Sequence, residues 1–307
     1  MKLSIIGETQ LTPGLRPRNL PSGNNSHPTT PDHNKPSDLS HDPNVRLLTQ
    51  WIDESERITV LTGAGISTDS GIPDFRGPNG VWTKNPKAEK ASNIQNFISD
   101  PEVRKASWRD RLDNRAWSAD PNDGHRALVQ LEKRNKLVAL LTQNVDGLHH
   151  AAGSSATKVV EVHGTIREVA CLECDYRDDM QIALDRVRQG EEDLDCPECG
   201  GILKSATISF GQSLVQKDLL KAEAAAQNCD LMIAIGTTLA VYPIAAVVPS
   251  AQRVGAKIAI INAEPTEMDH IADLVIRESI SEVLPIAVGG ASSLPEEDNN
   301  GDAETPK

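Results

Sequence analysis

The chain is predicted to adopt an α/β fold, a Rossmann-like doubly wound parallel sheet with a small inserted module. Three features of the sequence predict it. Short apolar runs alternate with amphipathic stretches, a polar segment follows nearly every run, and two Cys-x-x-Cys pairs interrupt the alternation. Apolar runs that are continuous rather than alternating mark strands covered on both faces, and helices between them supply the cover.

In chain order, residues 1–43 contain a stretch rich in Pro, Asn, Ser and Thr that has too little apolar area to offset its ordering entropy, and it reads as a disordered tail. "NVRLLTQWIDES" then has helical spacing and leads into "ITVL" at 58–61, the first expected strand. The later strands are "LVALL" at 137–141, "VVEV" at 159–162, "LMIAI" at 231–235, "KIAII" at 257–261 and "LVI" at 274–276. Between them "GHRALVQLEKRN", "KDLLKAEAAAQN" and "PIAAVVPSAQR" carry helical periodicity. The folded region is thus expected over 44–290, and 291–307 forms a second, acidic disordered tail. The net charge of −13 argues against nucleic acid or an anionic membrane as a partner and suits a basic peptide better. "MKLSIIG" is too short for a secretion signal, and no apolar run approaches a membrane span. With five cysteines, four of them in pairs, the reading is a reducing cytoplasm.

The polar segments after the strands are "TGAGIS", "TQNVDGLHH", "HGT", "GTT" and "NAEP". In an open α/β sheet, ligands sit at the carboxyl ends of the strands, so all five should converge on one nucleotide-type crevice. Alone, each has an ordinary alternative: a tight glycine turn with no ligand, or Asn144 and Asp146 as plain turn residues. The glycine loop also departs from the usual dinucleotide fingerprint, because Thr68 stands where a third glycine would be. The pairs Cys171/Cys174 and Cys196/Cys199 have the spacing C-x2-C-x21-C-x2-C, which places four thiolates around a closed, structural zinc in a module at about 165–208. A redox pair or free thiols are the competing account. Since four sulfurs complete the zinc shell, His163 is available for chemistry, against the bland option of a satisfied polar residue at a strand end.

In their order along residues 44–286, "GAGISTDSGIPDFR", "TQNVDGLH", "VHG", the cysteine pairs, "SFG", "GTTLAVYP" and "NAEP" resemble the sirtuins, NAD-dependent protein deacylases of the silent information regulator type. The resemblance implies a large Rossmann domain with a small zinc module, NAD and an acyl-lysine peptide meeting between them. It assigns the NAD phosphates to Gly63, Ala64, Gly65 and Arg76, with Asp74 beside them and Phe75 guarding the reactive ribose carbon. Gln143, Asn144 and Asp146 are implied at the ribose and nicotinamide, and Gly236, Thr237, Thr238, Asn262, Glu264 and Ile280 at the adenosine. The implied catalytic residues are Asn144 and His163, the latter a general base on a ribose hydroxyl. The implied products are nicotinamide and O-acyl-ADP-ribose, with acetyl the leading acyl group. Desuccinylation or demalonylation, mono-ADP-ribosyl transfer and a non-catalytic NAD-sensing scaffold are the alternatives.

Several positions depart from or fall outside that pattern. Gln212 stands where the family has a glutamate after Phe210-Gly211, and that segment is expected to offer a backbone edge to the peptide. Trp108 and Arg111 keep a Tyr-x-x-Arg spacing if the tryptophan replaces the tyrosine, in which case Arg111 would meet an acyl carboxylate; a solvated helix face is the alternative. His125 is expected to cap its helix, His149 to pack near the cofactor, and Cys229 to lie in the core. The sequence leaves the acyl chain, protein substrates, oligomeric state and the role of the tails open.

Overall fold

The computed structural model describes residues 39–75, 77, 80–84 and 92–289. The expected tail up to residue 38, the acidic C-terminal tail and Arg76 lie outside the described residues. The fold begins earlier than the expected boundary at 44. Leu39–His41 forms a 3-10 turn with Leu39 buried in the core, and Asp42 caps helix α1, Pro43–Glu54, accepting from the Asn44 and Val45 amides at 2.8 and 3.1 Å. Proline at the first helical position and an aspartate before it are a strong start signal that the polar composition of the preceding stretch conceals.

Six parallel strands form the main sheet: β1 (Ile58–Thr62), β2 (Leu137–Thr142), β3 (Val159–Glu161), and, across the second half, Leu231–Ile235, Lys257–Ile261 and Leu274–Ile276. All six match the apolar runs. An antiparallel sheet of three strands lies between them in sequence, β4 (Gly164–Cys171), β5 (Arg177–Asp179) and β6 (Leu203–Thr207), so the last strands of the main sheet are β7, β8 and β9. The main order is β3-β2-β1-β7-β8-β9. The chain therefore builds outward from β1 in one direction and from β7 in the other, and the crevice at their carboxyl ends is the topological switch point.

Helices cover both faces. On one, α1 packs with the helices Asp123–Lys133 and Ile280–Gly289 through Leu48, Ile52, Leu128, Leu131, Val283 and Leu284. On the other, Gln216–Gln227 and Val247–Arg253 bring Ala222, Ala226, Val248 and Ala251 against Leu61, Met232 and Ile258. Small alanines let these helices approach the sheet closely. Each fully buried aliphatic side chain contributes about 1.5–3 kcal/mol, so the alternating faces of β1 alone tie both layers together. Cys229 is buried in the second layer, as expected.

The small module is larger than the cysteine region. The helix Pro101–Leu112, with Ile94–Ser99 against it, packs onto this module, and Trp108, only 1% exposed, sits in its core with Val169, Met180, Leu184, Leu194 and Leu203. Arg104 adds a 2.7 Å ion pair to Asp193. Apart from the short helices Val81–Lys84 and Leu148–Ala152, which are left unnumbered, α1 is followed in chain order by α2 (Ile94–Ser99), α3 (Pro101–Leu112), α4 (Asp123–Lys133), α5 (Met180–Arg188), α6 (Gln216–Gln227), α7 (Val247–Arg253) and α8 (Ile280–Gly289). Among the described residues no helix is long and apolar enough to cross a membrane.

Candidate active site

A cleft of about 1650 Å³ opens at the carboxyl ends of β1, β2, β7 and β8, and the segments after those strands line it. Its floor is made by backbone approaching backbone. Gly63 and Gly65 donate to the Ile235 and Gly236 carbonyls, both at 2.9 Å, and a Cβ on Gly63 would stand 2.6 Å from the Gly236 oxygen. Gly236 itself has φ +62, and its own Cβ would meet the Ile66 nitrogen at 2.5 Å. Only glycine fits at this crossing, which leaves a shallow, side-chain-free surface suited to a bulky polar ligand.

The wall after β2 holds the buried polar groups. Asn144 and Asp146 are each 7% exposed. Asn144 Nδ2 donates to the Gly63 carbonyl and to Ser67 Oγ, both at 3.1 Å. Asp146 accepts from Ser67 Oγ at 2.8 Å and from the Leu148 amide at 2.9 Å. Gln143 Nε2 donates to Thr237 Oγ1 at 2.9 Å, joining the β2 and β7 segments. Asp146 and Asn144 Oδ1 keep unused lone pairs at the cleft, where an amide N–H or a sugar hydroxyl would donate to them.

His163 faces the same cleft from the turn between β3 and β4. Its Nδ1 lies 3.1 Å from the Gln143 carbonyl, which can only accept, so Nδ1 carries the hydrogen and Nε2 keeps its lone pair. Burial lowers its pKa below the ordinary value, partly offset by that backbone hydrogen bond, and the neutral, basic form is favoured. Gly164 next to it has φ +73 and lets β4 close on β6.

A family model, the Sir2 family, matches residues 63–243, more than half of the chain. The chain belongs to the Sir2 family. A Streptomyces coelicolor protein named NAD-dependent protein deacetylase 2 is 48% identical over 233 residues, 76% of this chain and 97% of that protein. A Sulfurisphaera tokodaii protein named NAD-dependent protein deacetylase is 40% identical over 228 residues, 74% and 88% of the two chains. A solved Sir2 structure with a p53 peptide and NAD+ superposes with a TM-score of 0.70 at 32% identity, covering 78% of this chain and 95% of that one.

In this Sir2 chain the four paired cysteines meet. Their sulfur atoms all lie within 4.8 Å of one another, with Cys171 and Cys199 at 3.5 Å and Cys174 and Cys196 at 3.6 Å. Tetrahedral zinc with bonds of about 2.3 Å requires sulfurs roughly 3.8 Å apart, so a structural zinc fits this set and leaves no open position. NAD fits the cleft as well, through the glycine floor and the paired Asn144 and Asp146.

All the described site residues expected from the sequence line this cleft: Gly63, Ala64, Gly65, Asp74, Phe75, Gln143, Asn144, Asp146, His163, Gly236, Thr237, Thr238, Asn262, Glu264 and Ile280. Arg76 lies outside the described residues. One expectation needs correction. Trp108 does not enter the cleft, because its ring completes the small module's core, whereas Arg111 borders the cleft with its guanidinium on Ser205. On one side the Phe210 segment is covered, its amide donating to the Ser92 carbonyl at 2.9 Å and its carbonyl accepting from the Ile94 amide at 3.0 Å. Gln212 folds back, its Oε1 accepting from the Ser209 amide at 3.1 Å.

Three features were missed. Ser67 stands at the centre of the Asn144–Asp146 hydrogen bonds, and only its place within the glycine loop hinted at it. Arg167 of β4 donates to the Asp146 carbonyl through Nε and Nη2 at 3.1 and 2.9 Å and to the Ala116 carbonyl at 3.0 Å, with its guanidinium 5.1 Å from the Trp117 ring centroid. It thus ties the small module to the turn that carries Asp146, and nothing in the spacing announces it. Lys204, 3% exposed, borders the cleft beside Arg111.

Proposed function

We propose that the chain is an NAD-dependent protein lysine deacetylase, transferring the acyl group of a modified lysine to the ADP-ribose part of NAD and releasing nicotinamide. The observation that carries this reading is the meeting, in one cleft, of a histidine with a free Nε2 lone pair and a buried Asn–Asp pair over a glycine floor. NAD supplies the ribose carbon from which nicotinamide departs. Gly63, Ala64 and Gly65 give its phosphates close approach to a floor without side chains, and Asp146 and Asn144 orient the carboxamide and ribose through the carboxylate and the Oδ1 acceptor that remain. His163 takes the proton of a ribose hydroxyl on Nε2 while the Gln143 carbonyl holds Nδ1–H, a hydrogen bond that strengthens as the ring becomes positive. Gly236, Thr237, Thr238, Asn262, Glu264 and Ile280 border the adenosine end. Zinc at Cys171, Cys174, Cys196 and Cys199 holds the small module and takes no part in the chemistry.

The names of the relatives support deacetylation, and the acidic chain suits lysine-rich peptides. Four cysteines grouped as a zinc-type set rather than spaced as a disulfide framework favour a reducing compartment, the cytoplasm. One observation favours a second acyl class. Arg111 Nη2 makes one hydrogen bond, to Ser205 Oγ at 2.7 Å, and burial pushes its pKa down to about 10. Lys204 is pushed down to about 7, chiefly by burial and then by Arg111. Arg111, a part-desolvated cation on the cleft with a single partner at Nη2, favours an acyl group ending in a carboxylate. The experiment is mass spectrometry of one peptide bearing acetyl-, succinyl- or malonyl-lysine after incubation with NAD. Deacetylation with nicotinamide release is expected; a faster succinyl reaction, lost in Arg111→Met, establishes the second class, and no reaction on any member refutes both.

A further inference from the structure

Two histidines not used by that chemistry lie side by side behind the Asn144–Asp146 turn. His125, the third residue of α4, is fully buried, and His149 is 2% exposed. Their ring centroids are 4.9 Å apart. Burial is the main cause that lowers both, to about 4 for His125 and about 3 for His149. Each is therefore a neutral ring at physiological pH, with one N–H and one lone pair.

Counting donors and acceptors shows which nitrogen carries the hydrogen. Ser67 Oγ gives its only hydrogen to Asp146 and accepts one from Asn144 Nδ2. The other Nδ2 hydrogen goes to the Gly63 carbonyl, which fixes the orientation of the Asn144 amide. One lone pair of Ser67 remains, and His125 Nε2 faces it at 3.4 Å, so Nε2 is the donor. On the ring's other side, Asn122 Oδ1 is 3.1 Å from Nδ1. That oxygen already accepts from the Gly124 and His125 amides at 3.0 and 3.3 Å, whereas the Asn122 amide points at Nδ1 at 3.4 Å. The Nε2–H form satisfies every one of these groups. The opposite tautomer would draw the Ser67 hydrogen away from Asp146. His149 supports the same wall: its Nε2 lies 2.9 Å from Thr62 Oγ1, which donates to Thr142 Oγ1, and that oxygen accepts the Asn144 amide at 3.1 Å.

We propose that His125 is a positioning residue for the nicotinamide end of NAD, acting through Ser67: its Nε2–H keeps the serine hydroxyl donating to Asp146 and accepting from Asn144, so that both pocket side chains are set before the ligand binds. The proposal rests on the reading of this cleft as the NAD site. Preorganisation of this kind is felt in binding of the nicotinamide portion and leaves acyl-peptide recognition unchanged.

The test is a double-mutant cycle on the full chain with His125→Asn, His125→Gln and Ser67→Ala. NAD affinity is read by calorimetry, alongside inhibition by nicotinamide and the peptide KM. Asparagine retains an acceptor near the Nδ1 position but falls short of Ser67; glutamine carries an amide N–H to the Nε2 position. H125N is expected to weaken both NAD and nicotinamide binding by about tenfold, the scale of one buried hydrogen bond, with peptide KM within about twofold. H125Q restores binding to within about threefold, and H125N adds nothing further on the S67A background. Independent, multiplicative effects of H125N and S67A overturn the proposal, as does H125Q no better than H125N. S67A with unchanged nicotinamide inhibition also overturns it, whether or not H125N folds. A wild-type chain that binds no NAD overturns the reading of the cleft and this proposal together; normal wild-type binding with unaffected variants overturns this proposal alone.

Discussion

Gly164 is the point where a single methyl group should do most harm to His163. It follows the histidine directly and pairs with Thr207 across the β4–β6 sheet. At φ +73 an alanine costs about 1–2 kcal/mol in backbone strain. Its Cβ would also stand 2.0 Å from the Ala206 carbonyl oxygen and 3.1 Å from Thr207 Cα. Relief requires β6 to withdraw by about 1 Å, the amount needed to regain even a tight contact. That movement strains the 2.7 Å hydrogen bond from the Ile208 amide to the His163 carbonyl, worth about 1 kcal/mol. The total for Gly164→Ala is thus on the order of 2–4 kcal/mol in stability. The same displacement, passed to the adjacent histidine, should lower deacetylation by about 100-fold. NAD affinity should stay within about threefold, because the glycine floor and Asp146 lie on other strands. Thermal unfolding and deacetylation rates measure these effects. Gly255→Ala is the control: its φ is +86, but a Cβ there meets nothing within 4 Å, so only backbone strain is added. A Gly164→Ala protein as stable as the control, with a rate within about threefold of wild type, would refute the reasoning.

Other outcomes follow from the same structure. Cys174→Ser, or chelation, should remove the zinc and unfold the small module, whose core is few side chains around Trp108, since structural zinc supplies on the order of 10 kcal/mol. Metal analysis with thermal unfolding reports it, and a zinc-free protein with full activity would contradict it. The buried, lowered His163 stays neutral to lower pH than a free imidazole, so kcat/KM for the peptide should rise with pH through a pKa below 6.5 and be flat above about pH 7; an acid limb centred above pH 7 would count against this. His125 and His149 have folded pKa values below the unfolded value, so their contribution to stability is complete above pH 6.5 and is lost as pH falls toward about 4 and about 3. The contribution of these two histidines to the unfolding temperature should therefore be level above pH 6.5 and fall below it. His149→Leu, which has nothing to protonate, should flatten that decline.

Much of the molecule is legible in the sequence where the signal is local. The six strands announce themselves because burial on both faces forces continuous apolar runs such as "LMIAI" and "KIAII". The zinc set is legible because a hairpin needs its two sulfurs three residues apart, and the crevice because polar segments must follow strands at a switch point. Other features depend on partners distant in sequence. Trp108 looks like a pocket residue by spacing, and only the packing of α3 on β4, α5 and β6 shows where its ring goes. The pairing of Phe210 with residues 92–94, which covers one side of that segment, likewise depends on a distant return of the chain. Asp42 caps a helix inside a stretch whose composition suggests disorder. His125 reads as a helix cap, which it is through Asn122, but its second contact, to Ser67, is 58 residues away in the chain.

The central claim is that His163 is the base of an NAD-dependent deacetylase and not a structural histidine. It is tested most directly by His163→Ala, with an acetyl-lysine peptide and NAD as substrates and NAD affinity measured on the same protein. The account predicts deacetylated peptide formed at least about 100 times more slowly, with NAD bound within about threefold of wild type, because removing a general base costs the chemistry and not the glycine floor. Deacetylation by His163→Ala at a rate within tenfold of wild type would contradict it.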